Sequence, residues 1–403
     1  MSVIKPFRAL RPAPDLAKQI SSVPYDVCSR AELKNLIGDN PRSFLRVTRA
    51  EVDLGREIAL DSQEVFDRAR ANFENLLDEK LLVLETEAAV YIYRLSTATH
   101  SQTGVVACCS LDEYETGLIK KHEKTRPDKV EDRTRHILTL RAQTGLIFFA
   151  FRQTAKLQNL IAEGAKGAPL YDFVCEQNVR HQIWKIAQTN DLIEAFAEVP
   201  ALYIADGHHR AEAADAARKI LRAANPQHTG EENYNSVVAG IFPDTDLEIL
   251  AYNRVVKDLN GLTETEFLEK LNENFVVSET ENSVPARRGE FCFYLNGKWR
   301  AAKFSAAEPV DKLDVGILQN YVLQPILGVE NARTDKRIEF VGGARGTPEL
   351  EKLVNEKRAK IAFSMFPTSL EDLFDISDAG GIMPPKSTWF EPKLRDGLLI
   401  HLI

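Results

Sequence analysis

Apolar positions recur at helix-like intervals from residue 53 to about residue 82, where Ile58, Leu60, Val65, Phe66, Phe73 and Leu76 predict an amphipathic helix. Upstream, Pro6, Pro12, Pro14, Pro24 and Pro41 each fix φ and remove an N–H donor, so the opening segment reads as loop-rich chain wrapping over another element. Downstream, the β-rich runs 89–96 and 104–111 flank a polar turn region and predict a hairpin. Residues 117–126 are irregular and basic; 128–143 read as a helix running into a strand over 146–152. On that helix Val130, Ile137 and Leu138 leave the directions of Arg133 and Arg135 open, since both also suit a solvated face.

Further along, 181–187 suggests a strand and 191–198 a short helix. The compact apolar run 201–205 reads as a buried strand, broken abruptly by Asp206-Gly207 and followed by an alanine-rich, strongly helix-favouring stretch over 209–224. Asn296-Gly297 between 290–295 and 298–304 is a strong hairpin signal. Residues 313–323 read as helix up to Pro325, and Thr368-Ser369-Leu370-Glu371 as a capping box opening a helix that ends at Gly380-Gly381. A proline-rich loop over 383–392 leads into a last strand, 397–402. Helices alternating with strands and several hairpins imply an α+β fold with mixed sheets.

Composition narrows the class. At 403 residues the chain predicts two or three closely packed units, and 44% hydrophobic with 27% charged residues is the range of globular proteins. Its longest apolar runs fall far short of the roughly 20 residues of a membrane-spanning helix. Charge and proline interrupt the N-terminus before a signal-peptide core forms, so a cytoplasmic location is expected. Cys28, Cys108, Cys109, Cys175 and Cys292 have no C-x-x-C spacing and read as reduced core thiols. A net charge of -8 argues against nucleic acid as a partner.

Three segments can carry chemistry. A buried strand feeding Asp206-Gly207 and then a helix directs free N–H groups and a helix dipole at one place, where His208, His209 and Arg210 also sit. The set suits phosphate, and Asp206 suits a magnesium ion or a hydroxyl proton; the same residues also suit a helix capped by Asp206 with His and Arg on its surface. Zinc is weaker, because adjacent histidines point apart on a helix and no third ligand has metal-site spacing. In Lys120-Lys121-His122-Glu123-Lys124-Thr125-Arg126, a lone carboxylate among cations stays ionised and suits a base, a metal ligand or a solvated loop. Pro384-Pro385-Lys386-Ser387-Thr388 presents an ammonium and two hydroxyls from a stiffened loop, suited to phosphate or carboxylate or to a plain surface turn.

Together with Pro6-Phe7-Arg8-Ala9-Leu10-Arg11-Pro12, Pro24-Tyr25-Asp26-Val27, Asn40-Pro41 and Leu313-Asp314-Val315, these segments resemble domain-of-unknown-function family 1015, related to the free-serine kinases. The resemblance spans nearly the whole chain. It implies one family-wide unit, 1–403, comprising an N-terminal wrapping region (1–85), a ParB/sulfiredoxin-like core carrying the strand-loop-helix phosphate site (86–260), a smaller α+β subdomain (261–345) and a C-terminal segment returning to the active site (346–403). Sulfiredoxins carry a cysteine directly after the loop glycine, where this chain has His208, so sulfinic-acid reduction is not expected. No helix-turn-helix of the ParB kind is visible. One departure from the family pattern is Asn253 before Arg254, where a histidine is usual.

The resemblance implies a small-molecule kinase that passes a phosphoryl group from ATP, ADP or pyrophosphate to free L-serine, with Mg²⁺ held by Asp206 or Glu123. Glu123 and Asp206 would be catalytic; Gly207, His208, His209 and Arg210 would bind donor phosphates; His122, Lys386, Ser387 and Thr388 would bind substrate. The partners are then small molecules, with no nucleic acid and no membrane. A nucleotide-binding regulator without turnover and a nucleotide phosphohydrolase are the alternatives.

Overall fold

The polar break after residue 96 folds as a hairpin, Val90–Ser96 against Ser101–Ser110, with Tyr93 opposite Gly104. The computed structural model describes residues 2–55, 58–305 and 313–403. Their contacts divide the chain into two units: Met1–Leu247 with Pro392–Ile403, and Glu248–Glu391.

The first unit is built on a nine-stranded sheet. Its strands are β1 (Ile4–Lys5), β2 (Val90–Ser96), β3 (Ser101–Ser110), β4 (Ile119–Lys120), β5 (Ile147–Phe151), β6 (Tyr171–Val174), β7 (Arg180–Ile186), β8 (Leu202–Asp206) and β9 (Ser236–Pro243). They lie in the order β4-β8-β5-β9-β3-β2-β7-β6, with β1 joined to β3. The sheet is mixed: β8 runs parallel to β4 and antiparallel to β5, while β9 runs parallel to β5 and antiparallel to β3. Every residue of β5, Ile-Phe-Phe-Ala-Phe, is buried, the signature of a strand covered on both faces. Three longer helices belong to this unit: α1 (Gln63–Asp78), α2 (Pro127–Leu140) and α3 (His208–Ala224). Ala211, Ala213, Ala214 and Ala217 are all buried, so the alanines of α3 supply close approach as well as helix propensity.

The second unit carries a six-stranded sheet of β10 (Tyr252–Val256), β11 (Phe275–Glu279), β12 (Glu290–Leu295), β13 (Lys298–Phe304), β14 (Ile338–Gly342) and β15 (Ile361–Met365). Their order is β11-β13-β12-β15-β10-β14, and each neighbouring pair is antiparallel. Asn296 and Gly297 have φ of 48° and 79°, the positive pair that a two-residue turn between twisted strands requires. The fold is therefore α+β with mixed sheets.

Several boundaries differ from expectation. The helix expected from residue 53 begins at Gln63; Ala50–Leu54 is a separate 3₁₀ turn stopped by Gly55 at φ 64°, and residues 56 and 57 lie outside the described residues. The helix expected over 128–143 stops at Leu140, where Arg141 turns left-handed and frees Ala142–Gln143 to pair with His401–Leu402. That pairing also shortens the last strand: Ile400 bridges to Leu10 while His401 and Leu402 face Gln143 and Ala142, so no single partner supports a long ladder. The capping box is real but one residue on, with Ser369 as cap and Asp372 answering it. All five cysteines are buried and free. Among the described residues no helix is long and apolar enough to cross a membrane.

Candidate functional site

β8 delivers Asp206 to the edge of the buried core, and a register irregularity between Ile204 and Asp206 marks where the ladder gives way. Gly207 follows at φ 97°, a conformation that favours glycine, and a Cβ there would lie 2.9 Å from Arg210 Nε and displace the guanidinium. No side chain caps α3 at Gly207. The Asp206 carboxylate lies 3.3 Å from Arg210 Nη2 and 3.3 Å from Lys393 Nζ. The first N–H groups of a helix have no partner within the helix itself, and with the helix dipole they favour an anion.

The basic loop 120–126 lies directly against this helix start. The His122 backbone N–H donates to His208 Nε2 at 3.4 Å, and the Arg126 N–H donates to His209 Nε2 at 3.0 Å. The Thr125 hydroxyl donates to the Glu212 carboxylate one turn further along α3. The His122 and His208 rings meet edge to face, centroids 4.5 Å apart. One ligand atom from each of His122, Glu123 and His208 lies within 4.8 Å of the others. Sequence reasoning missed this cluster because two of its three ligands come from a loop more than eighty residues before His208. Both Nε2 atoms accept these hydrogen bonds, which places the ring protons of His208 and His209 on Nδ1. Burial pushes His122 down to about 4 against the pull of Asp206 and a bond to the Ile204 carbonyl. Burial also holds His208 well below its usual value, so both rings are neutral near pH 7.

Arg210 faces inward. Its Nη1 donates to the Leu146 carbonyl at 2.5 Å, and its Nε has no hydrogen-bond partner among the described residues. It borders a cavity of about 40 Å³ shared with Tyr25, Arg133, Thr144 and Asp396. Asp396 Oδ1 is likewise buried and without a hydrogen-bond partner among the described residues, and burial raises its carboxyl to about 7 despite nearby Arg210. Arg133 stacks 4.2 Å over the Tyr25 ring, so it is a core-facing cation. On the other side of the tethered loop, Thr125, Glu131, Leu138, Glu212 and Ile220 line an open groove of about 500 Å³.

Lys386, Ser387 and Thr388 belong to the second unit. There Lys386 adopts φ 58°, its carbonyl accepts from Arg254 Nη2 at 3.1 Å, and its Nζ lies 5.5 Å from the Tyr252 ring. The buried Ser387 hydroxyl closes the turn by donating to the Pro384 carbonyl at 2.6 Å. Asn253 is structural: its side-chain oxygen accepts from the Met365 N–H at 3.0 Å.

A family model described as "Protein of unknown function (DUF1015)" matches residues 4–316. The chain belongs to the DUF1015 family. No curated protein matches it. Among solved structures, this DUF1015 protein is similar to a free serine kinase in complex with AMP, at 15% identity and TM-score 0.36, covering 71% of this chain and 86% of that one. It is also similar to a conserved hypothetical protein from Pyrococcus furiosus (15%, TM-score 0.38, 74% and 95% covered). A third similar structure is SbnI with C-terminal truncation from Staphylococcus aureus (12%, TM-score 0.41, 74% and 87% covered).

The donor chemistry of the site can be set against Mg²⁺, which takes oxygen ligands in near-octahedral array. Two of the three clustered ligands in the DUF1015 protein are imidazole nitrogens, and Asp206 already faces Lys393 and Arg210. The cluster does not fit magnesium.

Proposed function

We propose that this protein transfers a phosphoryl group from a nucleotide or pyrophosphate to the hydroxyl of free L-serine, giving O-phosphoserine. The observation that carries the reading is the Glu123 loop, tied by His208, His209 and Glu212 against the N-terminal start of α3 at Gly207. Phosphoryl transfer needs mainly positioning and charge stabilisation, and this juxtaposition supplies an anion site with a carboxylate beside it. The resemblance of the motifs to free-serine kinases supplies the acceptor.

In this reading the N–H groups of Gly207, His208, His209 and Arg210 hold the donor phosphates, and the Arg210 guanidinium braces the loop from behind through Leu146 and Asp206. Glu123 accepts the serine hydroxyl proton as the Oγ–P bond forms and the P–O bond to the leaving group breaks. The leaving group departs as the shortened nucleotide or as phosphate. The groove beside Thr125 and Glu212 is within the size range of small-molecule pockets, which suits a nucleoside.

The test is product analysis by mass spectrometry after incubating the protein with serine and each of ATP, ADP and pyrophosphate. Serine-dependent O-phosphoserine is expected. Donor breakdown that is indifferent to serine would instead mark a phosphohydrolase, and no product from any pairing a ligand sensor. Glu123→Gln keeps shape but removes the base, so turnover should drop by about 10²- to 10⁴-fold with the donor's Kd nearly unchanged.

A further inference from the structure

We propose that His122, Glu123 and His208 bind one divalent transition-metal ion of the zinc, cobalt or manganese type. The inference concerns the site of the phosphoryl-transfer reading and deepens it by giving Glu123 a second task. Three observations converge on it. First, one ligand atom from each residue already lies within 4.8 Å of the others. A metal with ligands at about 2.0–2.2 Å needs donor atoms roughly 3–3.5 Å apart, so closure asks for a shift of about an ångström. Glu123 is only partly buried and sits on a loop, so its side chain can make that shift.

Second, the two elements that bring the ligands are bound to each other independently of the cluster. Arg126 to His209 and Thr125 to Glu212 hold the loop on α3, so the ligands do not depend on a chance encounter. The His122 N–H contact to His208 Nε2 is long at 3.4 Å and is readily surrendered to a metal. Third, the donor set is selective. Two imidazoles and one carboxylate form the set that zinc hydrolases and other first-row metal sites use, with open positions left for water or substrate. His122 also bonds the Ile204 carbonyl, the kind of outer partner that orients metal-bound imidazoles. His122 and His208 are 2% and 6% exposed, so their rings are held in place by packing.

The experiment uses the full chain stripped of metal with a chelator and titrated with Co²⁺, read by visible absorption and equilibrium dialysis. One Co²⁺ per chain is expected, displaced by Zn²⁺ and not by excess Mg²⁺. Glu123→Ala and His208→Ala should each weaken Co²⁺ binding by at least about 100-fold. His228→Ala should leave it unchanged, because His228 is engaged with Tyr234 and Glu232. His208 is buried, so its variant is read only if its circular dichroism matches the parent; the loop variant Glu123→Ala decides otherwise. Absence of saturable one-to-one binding, or parental affinity in Glu123→Ala, overturns the proposal. Turnover is assayed separately. Serine phosphorylation lost in Glu123→Gln, with Co²⁺ affinity untouched in Glu123→Ala, would sink the metal site and leave the kinase. Ligand-dependent Co²⁺ binding without any phosphoserine would do the reverse.

Discussion

Arg210 is held by the protein itself at the start of α3. Its position after Asp-Gly-His-His suggests a guanidinium near phosphate, and in the structure it is enclosed and bonded to Leu146 and Asp206. Arg210→Ala should therefore cost about 2–3 kcal/mol, the order expected when a hydrogen bond to a charged group is broken, seen as a lower denaturant midpoint at unchanged slope. A purely ligand-facing arginine would leave that midpoint alone. Glu123 was legible because a carboxylate set among lysines is conspicuous in the sequence. Asp396, Lys393 and Tyr25 were not: each reaches Asp206 or Arg210 from a remote part of the chain, and no local pattern announces a long-range contact. Gly207→Ala tests the loop at the same scale. At φ 97° a Cβ costs about 1–2 kcal/mol and pushes on Arg210 Nε, so this variant should lose stability together with Arg210-dependent geometry.

Elements were legible where local chemistry decides them. The Asn296-Gly297 hairpin and the Leu202–Asp206 strand into α3 follow from turn residues and an apolar run. They were misread where neighbours decide. In Thr368-Ser369-Leu370-Glu371-Asp372 two capping frames overlap, and the structure chooses Ser369 because the buried Thr368 hydroxyl donates to the Ser387 carbonyl instead. Ser369→Ala should accordingly cost about 1 kcal/mol, measurable as a shift of the unfolding midpoint of the second unit. The strand Ser236–Pro243, central to the first sheet, went unremarked because a mostly apolar run with no flanking alternation has no period to read.

At the scale of the molecule, all eight histidines fall outside Glu248–Glu391. Burial lowers His136 and His181 each to about 3, so below pH 6.5 the unfolded chain binds protons that the folded one refuses. Stability held by these two rings is full above pH 6.5 and is lost as pH falls toward 3, at about 3 kcal/mol per pH unit. Asp396, raised to about 7, runs the other way and offsets part of that loss. The second unit has no histidine, and Asp314, raised to about 6 by burial, favours its folded state as pH falls toward 4. Hydrogen exchange corrected for intrinsic rates should therefore show the first unit losing protection between pH 6.5 and 5 while the second keeps it; equal loss in both would refute this. Chain order adds a consequence for synthesis. Arg395, Asp396 and His401 are buried parts of the first unit, yet they are made after every residue of the second. On the ribosome the unit begun second is the first to have its whole sequence available, and the unit begun first closes only after residues 392–403 have also been made.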